Sequence, residues 1–216
     1  DNITKNYSKK EIINMQWKCA KRKYRIALAC ANDVVETKMC KRIWSDIDIE
    51  RIPSKALQNY GSALLDESKD GTRRIHKNDF EYNDRNICRN NTIEKLLDPK
   101  TILNGARASL ELLVKEIFNN ELSSMRKLQI NKIVESIVKD LKKQINDLDK
   151  QLKEKDPDNF KPFKPCIPLC DVSGSMNGIP MYVCIGLGII LSSFLQDNKY
   201  LKNKIITFET NPKWIT

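Results

Sequence analysis

The chain has 216 residues, 40% of them hydrophobic and 31% charged, with 38 Lys and Arg against 28 Asp and Glu and a net charge of +10. This composition excludes collagen-like, disulfide-scaffold and low-complexity readings, and the length allows one large or two small domains with a real core. His76 is the single histidine, which argues against His-rich metal sites and a local Ser/His/Asp triad.

The charge is uneven. Of the basic residues 34 precede Cys166, as do 25 of the acidic ones, so the last 51 residues are nearly neutral. A basic first part suits a polyanion, with RNA, DNA and anionic membrane all admissible, and it equally suits plain solubility. The seven cysteines are odd in number and scattered singly among apolar residues, the usage of a reducing, intracellular compartment. The expected localisation from the cysteines is cytoplasmic; the Lys-, Asn- and Ile-rich composition leaves a virion as the alternative. Cys166 and Cys170 sit four apart in a strand-like run, about 13 Å between Cα atoms, too far for a disulfide. The sequence begins at Asp1 and stops just after a strand-like segment, which reads as a fragment or as ordered pieces.

In chain order, residues 10–44 alternate apolar and basic positions at helical spacing, with Ile13, Trp17, Ala20, Tyr24, Ala27 and Leu28 on one face. One or two helices are expected, ending near Trp44. Pro53 breaks any helix, and Ser54 is expected to cap a new one through Tyr60. Residues 66–92 are polar and carry no clear period. Asp98 and Pro99 read as the N-cap and first residue of a further helix, followed by an apolar stripe of Leu110, Leu113, Val114, Ile117 and Phe118. The clearest helix runs from about Ser123 to Leu152, with Ile130, Ile133, Val134, Ile137, Val138, Leu141, Ile145, Leu148 and Leu152 on one side. It is expected to pack on neighbouring helices; a coiled-coil arm is the alternative, since 134, 141 and 148 repeat by seven. Residues 153–165 hold three prolines and read as a linker or extended wrap.

The pattern then changes. Cys166 to Cys170 reads as a strand, Asp171 to Gly178 as a turn-rich loop, Pro180 to Gln196 as an apolar helix, and Lys204 to Glu209 as a second strand. The apolar run Met181–Leu195 has 15 residues, short of the roughly 20 that span a bilayer. Strand, loop, helix and strand form a βαβ unit, whose ligands bind at the carboxyl ends of the strands. Asp171, Ser173 and Ser175 stand there as D-x-S-x-S. Alternate residues leaving a strand can aim three oxygens at one point, which suits a hard cation such as Mg2+, with Gly174 expected to let the backbone turn between the serines. The bland alternative is that these side chains merely cap the following helix.

These residues resemble a family. The run PLCDVSGSMNGIPMYVCIGLGIILSSFL, with ITFETNPKW after it, resembles the start of a von Willebrand factor A domain with its metal-ion-dependent adhesion site. The wording DVSGSM, ITF and P-x-W resembles the subgroup attached to an α-helical region, which includes the Ro-type (TROVE) RNA-binding proteins. Closer still is an uncharacterised family of plants, fungi and giant viruses, which carries a stretch like Trp44, Ile47, Arg51-Ile-Pro-Ser54-Lys-Ala and Tyr60. The resemblance covers about a third of the chain. It implies a mixed fold: a basic, helical-repeat-like region over 1–152, the 153–165 linker, and over 166–216 the first βαβ part of an α/β Rossmann-like A domain. It also implies Mg2+ held by the hydroxyls of Ser173 and Ser175, with Asp171 direct or through water, while the family's Thr and Asp ligands fall past residue 216. Pro168 departs from the pattern, because it removes a ladder donor from a strand expected to be central.

Three functions follow as expectations. The first is a non-enzymatic binding or scaffold protein, with an acidic protein ligand at the metal and RNA on the basic helices. The second is a structural or assembly component, such as one of a giant-virus particle. The third is a metal-dependent phosphoester hydrolase, although the sequence holds no G-x-S-x-G elbow, no phosphate-binding G-x-x-x-x-G-K loop and no catalytic constellation.

Overall fold

A computed structural model describes residues 8–31, 34–68, 70–119, 121–164, 166–195 and 200–215, without the side chains of 28–30. The chain is mostly helical, with a small three-stranded mixed sheet near its C-terminal end. It divides into two compact units, Asp1–Ile47 and Asp48–Thr216.

The first unit holds α1 (Lys9–Ala31) and α2 (Val35–Lys41). Ser8 and Glu11 start α1 with a reciprocal capping box: the Ser8 N–H donates to Glu11 Oε2 at 2.8 Å and the Glu11 N–H donates back to Ser8 Oγ at 3.3 Å. The α1 residues Ile13, Trp17 and Tyr24 are exposed, so the expected apolar face is helical but uncovered. Leu28 lies outside the described side chains.

The second unit is built on α3 (Ser54–Leu64), α4 (Asp79–Leu97), α5 (Leu110–Asn119) and α6 (Ser124–Lys155). Pro53, not Ser54, is the N-cap of α3; Ser54 is already helical, and its hydroxyl accepts from the Arg107 N–H. The polar stretch with no clear period contains α4, started by Asn78, whose side chain accepts from the Glu81 N–H at 2.8 Å. Asp98 ends α4 as its C-cap and starts nothing, so the expected helix at Pro99 is corrected to a non-helical loop over 98–109. Tertiary bonds fix that loop. Lys132 Nζ donates to the Asp98 and Thr101 carbonyls, and Gln58 pairs with both backbone groups of Ser109. These contacts outweigh the local helix signal of Asp-Pro.

Leu57, Leu64, Leu96, Leu103, Leu113, Ile130 and Ile133 form the helical core. In the α6 stripe Ile130, Ile133, Ile137 and Val138 are buried and Val134 is half-buried, while Leu148 and Leu152 are exposed, so packing on neighbours accounts for its first half. Segment 156–164 is irregular and ties back to the unit: the Phe163 N–H donates to Asp149, and its ring meets Phe194 edge-on at 5.9 Å.

The sheet comprises β1 (Leu169–Asp171), β2 (Ile205–Phe208) and β3 (Trp214–Ile215), in that order, with α7 (Ile179–Ser193) between β1 and β2. β1 and β2 are parallel, with Asp171 opposite Phe208; β2 and β3 are antiparallel, with Ile206 opposite Trp214. Strand, helix and parallel strand form a βαβ unit, and α7 packs on α5 through Gly186, which faces Leu110. Pro168 lies just before β1 and costs no bond between described strands. Its carbonyl accepts from the Ile206 N–H at 3.1 Å.

Candidate functional site

Asp171 is the last residue of β1, and the chain leaves the sheet at once. The Val172 N–H still bonds the Phe208 carbonyl, after which the Ser173 N–H donates to Asp171 Oδ1 at 2.9 Å. Gly174–Met176 then make one 3-10 turn, which brings Ser175 back over Ser173 with the hydroxyl oxygens 2.9 Å apart. The backbone turns at Gly174 as expected, within the 3-10 turn and without a positive φ; Gly178, where the chain enters α7, stands at φ 90. There a side chain would be strained, whereas at Gly174 nothing lies within contact of an added Cβ.

The three residues therefore share one loop at the carboxyl end of a parallel strand, just before the N-terminus of α7. Neither serine caps that helix, which has no side-chain cap. Hydrogen bonds from the Ser173 side chain and backbone hold the Asp171 carboxyl below its usual range, so it is ionised at neutral pH. The donor set fits a small hard cation in one specific respect. Adjacent ligands of an octahedral Mg2+ stand about 2.9 Å apart, the separation of the two hydroxyl oxygens. With one carboxylate the site carries a single negative charge, so a cation here would call for anionic oxygen from elsewhere. No group of three or more His, Cys, Asp or Glu able to hold a metal occurs among the described residues.

Behind the loop, Cys170 is buried against α7. Its thiol points to the Cys184 carbonyl and lies where a Cβ at Gly188 would stand. Burial pushes this thiol up to about 11, and Cys88 likewise, so both are inert core groups. The cysteines among the described residues are free.

Two other polar centres have no local sequence signal. Asp66, fully buried at φ 57, accepts from His76 Nε2 at 2.9 Å and from Arg73 and Arg85 at 3.2 Å each. Burial alone would raise its pKa; hydrogen bonds from His76 and Arg73 and the charge of Arg85 outweigh it, and the carboxyl is held low. The partners lie 7, 10 and 19 residues downstream, which hid the cluster from any spacing argument. Arg126, 1% exposed, is held by both Glu116 oxygens at 2.8 Å, by the Gln58 carbonyl at 3.1 Å and by Gln129. It fits only because Gly61 has no side chain: a Cβ there would overlap the guanidinium.

Residues 165–216, which hold the loop, match the model of a domain of unknown function, DUF7788. The chain is 27% identical over 181 residues to the uncharacterized protein L728 of Acanthamoeba polyphaga mimivirus. That alignment covers 84% of this chain and 27% of the viral protein, so the chain spans about a quarter of the length of the relative it matches. No solved structure matches. Among the described residues no helix is long and apolar enough to cross a membrane.

Proposed function

We propose that the chain belongs to a non-enzymatic binding protein. In this reading the loop of Asp171, Ser173 and Ser175 holds Mg2+ for an acidic group on a protein ligand, and the basic helical region over 1–152 takes RNA. The observation that carries it is the pair of serine hydroxyls at 2.9 Å, beside a carboxylate at the carboxyl end of β1. The parallel β1–α7–β2 unit and its antiparallel β3 are compatible with the opening of a von Willebrand factor A domain, and the DUF7788 match spans the same residues. A bound Mg2+ would supply a Lewis-acidic position for a partner's carboxylate. The chain's own residues orient the site: Asp171 Oδ1 is turned to the Ser173 N–H, and the 3-10 turn fixes the two hydroxyls.

The test is calorimetric titration with Mg2+ and Mn2+ of the wild type and of Ser173→Ala with Ser175→Ala. Heat that saturates in the wild type and disappears in the double variant supports the reading; equal heats in both overturn it. The RNA half is read by fluorescence anisotropy with a labelled single strand. Affinity should fall steeply with salt, because phosphate contacts release counterions, and salt-independent or absent binding rejects it.

A second reading, with which the match to a mimivirus protein is compatible, is an assembly component of a virus particle. Recovery of this chain at fixed stoichiometry in purified particles would support it, and its absence from them would reject it.

A further inference from the structure

A cavity of about 440 Å³ opens between α3, the turn after it, and the α5–α6 junction, well within the size range of small-ligand sites. Tyr60, Glu67, Arg74, Glu116, Leu122 and Arg126 are among the residues that line it. The described lining residues include two cations and two carboxylates, and one pair of them is spent. Arg126 and Glu116 neutralise each other through two bonds of 2.8 Å. Glu67 and Arg74 form no ion pair, and both keep unused atoms. Glu67 is 4% exposed; its Oε2 accepts from Ser123 Oγ at 2.7 Å, and Oε1 has no hydrogen bond to a described residue. Arg74 is exposed at the opening, where Nε donates to the Glu67 carbonyl at 2.8 Å and the two terminal nitrogens have no partner among the described residues.

A carboxylate oxygen that takes no donor from the chain can take a cationic donor that enters the cavity, and charge-assisted bonds of this kind are among the strong ones. A guanidinium with two open N–H₂ groups presents the fork that binds a carboxylate. The two stand in one small cavity, their charges opposite and the sum over its described lining residues neutral. The complementary molecule is therefore a zwitterion with its charges close together and a modest apolar part for Tyr60 and Leu122.

We propose that this cavity binds a free α-amino acid, with the ammonium on Glu67 and the carboxylate on Arg74. Glu67 selects by charge from inside the wall, and Arg74 closes the contact from the opening. This site is independent of the loop after β1 and requires no metal.

The test is calorimetric titration of the full chain at low salt with each of the twenty amino acids at millimolar concentration. The best binder is then compared with its N-acetyl and methyl-ester derivatives, each of which lacks one of the two charges. Saturable binding that weakens at least tenfold in both derivatives is the expected result. Glu67→Gln keeps an acceptor for Ser123 and should weaken the parent tenfold or more while leaving the circular dichroism and thermal midpoint unchanged. Arg74→Met should do the same, with partial recovery in Arg74→Lys. The proposal is overturned if no amino acid gives heat, if the N-acetyl or ester form binds as well as the parent, or if both folded variants bind like the wild type.

Discussion

Two aspartates in this molecule accept hydrogen bonds, and they work in opposite ways. Asp66 is fully buried and takes two cationic side chains and an imidazole, so every lone pair is committed to the chain itself. Asp171 stands half-exposed at a strand end, bonded to the residue two positions on, next to two serine hydroxyls 2.9 Å apart. A buried charge with all its partners internal holds a fold together. An ionised group whose partners are short and local leaves oxygen free for something from outside. If this contrast is right, substitutions at the first centre should cost stability and those at the second should cost binding.

The largest effect is expected at Asp66. Asp66→Asn leaves Arg73, Arg85 and His76 facing a neutral amide, and removing one partner of a buried ion pair costs about 3–5 kcal/mol, read as a fall in the urea midpoint. The same carboxyl sets a pH dependence. Its folded-state pKa is depressed, so its contribution is complete above the ordinary carboxylate range and is lost as pH falls through the lower folded value. Urea midpoints from pH 6 downward should therefore fall less steeply in Asp66→Asn than in the wild type. A parallel decline in both would show that Asp66 is not the buried counter-charge described.

Next comes Gly61→Ala, which displaces a guanidinium that Glu116, Gln58 and Gln129 hold in place. A loss of about 3 kcal/mol is expected, from overpacking and a disturbed buried pair together. Gly188→Ala is smaller, about 1–3 kcal/mol, because the added methyl meets one thiol, that of Cys170. It also tests the loop at a distance: Cys170 precedes Asp171, so metal titration should weaken along with stability. A variant that loses stability and keeps full metal affinity would separate the loop from the packing beneath it.

The two centres were not equally legible in the sequence. D-x-S-x-S between an apolar strand and an apolar helix is a local pattern, and the structure brings Asp171, Ser173 and Ser175 into one loop because a strand end and a single turn need only neighbouring residues. The long amphipathic α6 was legible for the same reason, its stripe repeating from Ile130 to Leu152. Asp66 and Arg126 were not, because their partners come from other elements and nothing in the spacing points to them. The Asp98-Pro99 signal misled because Lys132, 34 residues away, holds that carbonyl in a loop. Asn78 at the start of α4 is a local cap signal, set in a stretch whose apolar residues do not repeat.

The smallest stability effect and the sharpest functional one should coincide at Ser175. Its side chain is exposed, and its one hydrogen bond joins it to another exposed hydroxyl, so Ser175→Ala should stay within about 0.5 kcal/mol of the wild type in the urea midpoint. Removing it takes away one of the two oxygens set at an octahedral edge, and a cation's affinity depends on how many oxygens reach it. Mn2+ relaxation enhancement of solvent water should then drop to the level of buffer in Ser175→Ala and in Asp171→Asn, with both proteins fully folded. Asp171→Asn adds a control within the same loop: the amide oxygen can still accept from the Ser173 N–H, so it removes charge and keeps geometry. If Mn2+ binds Asp171→Asn as tightly as the wild type, the loop is a turn that happens to bring hydroxyls together, and the contrast with Asp66 reduces to burial alone.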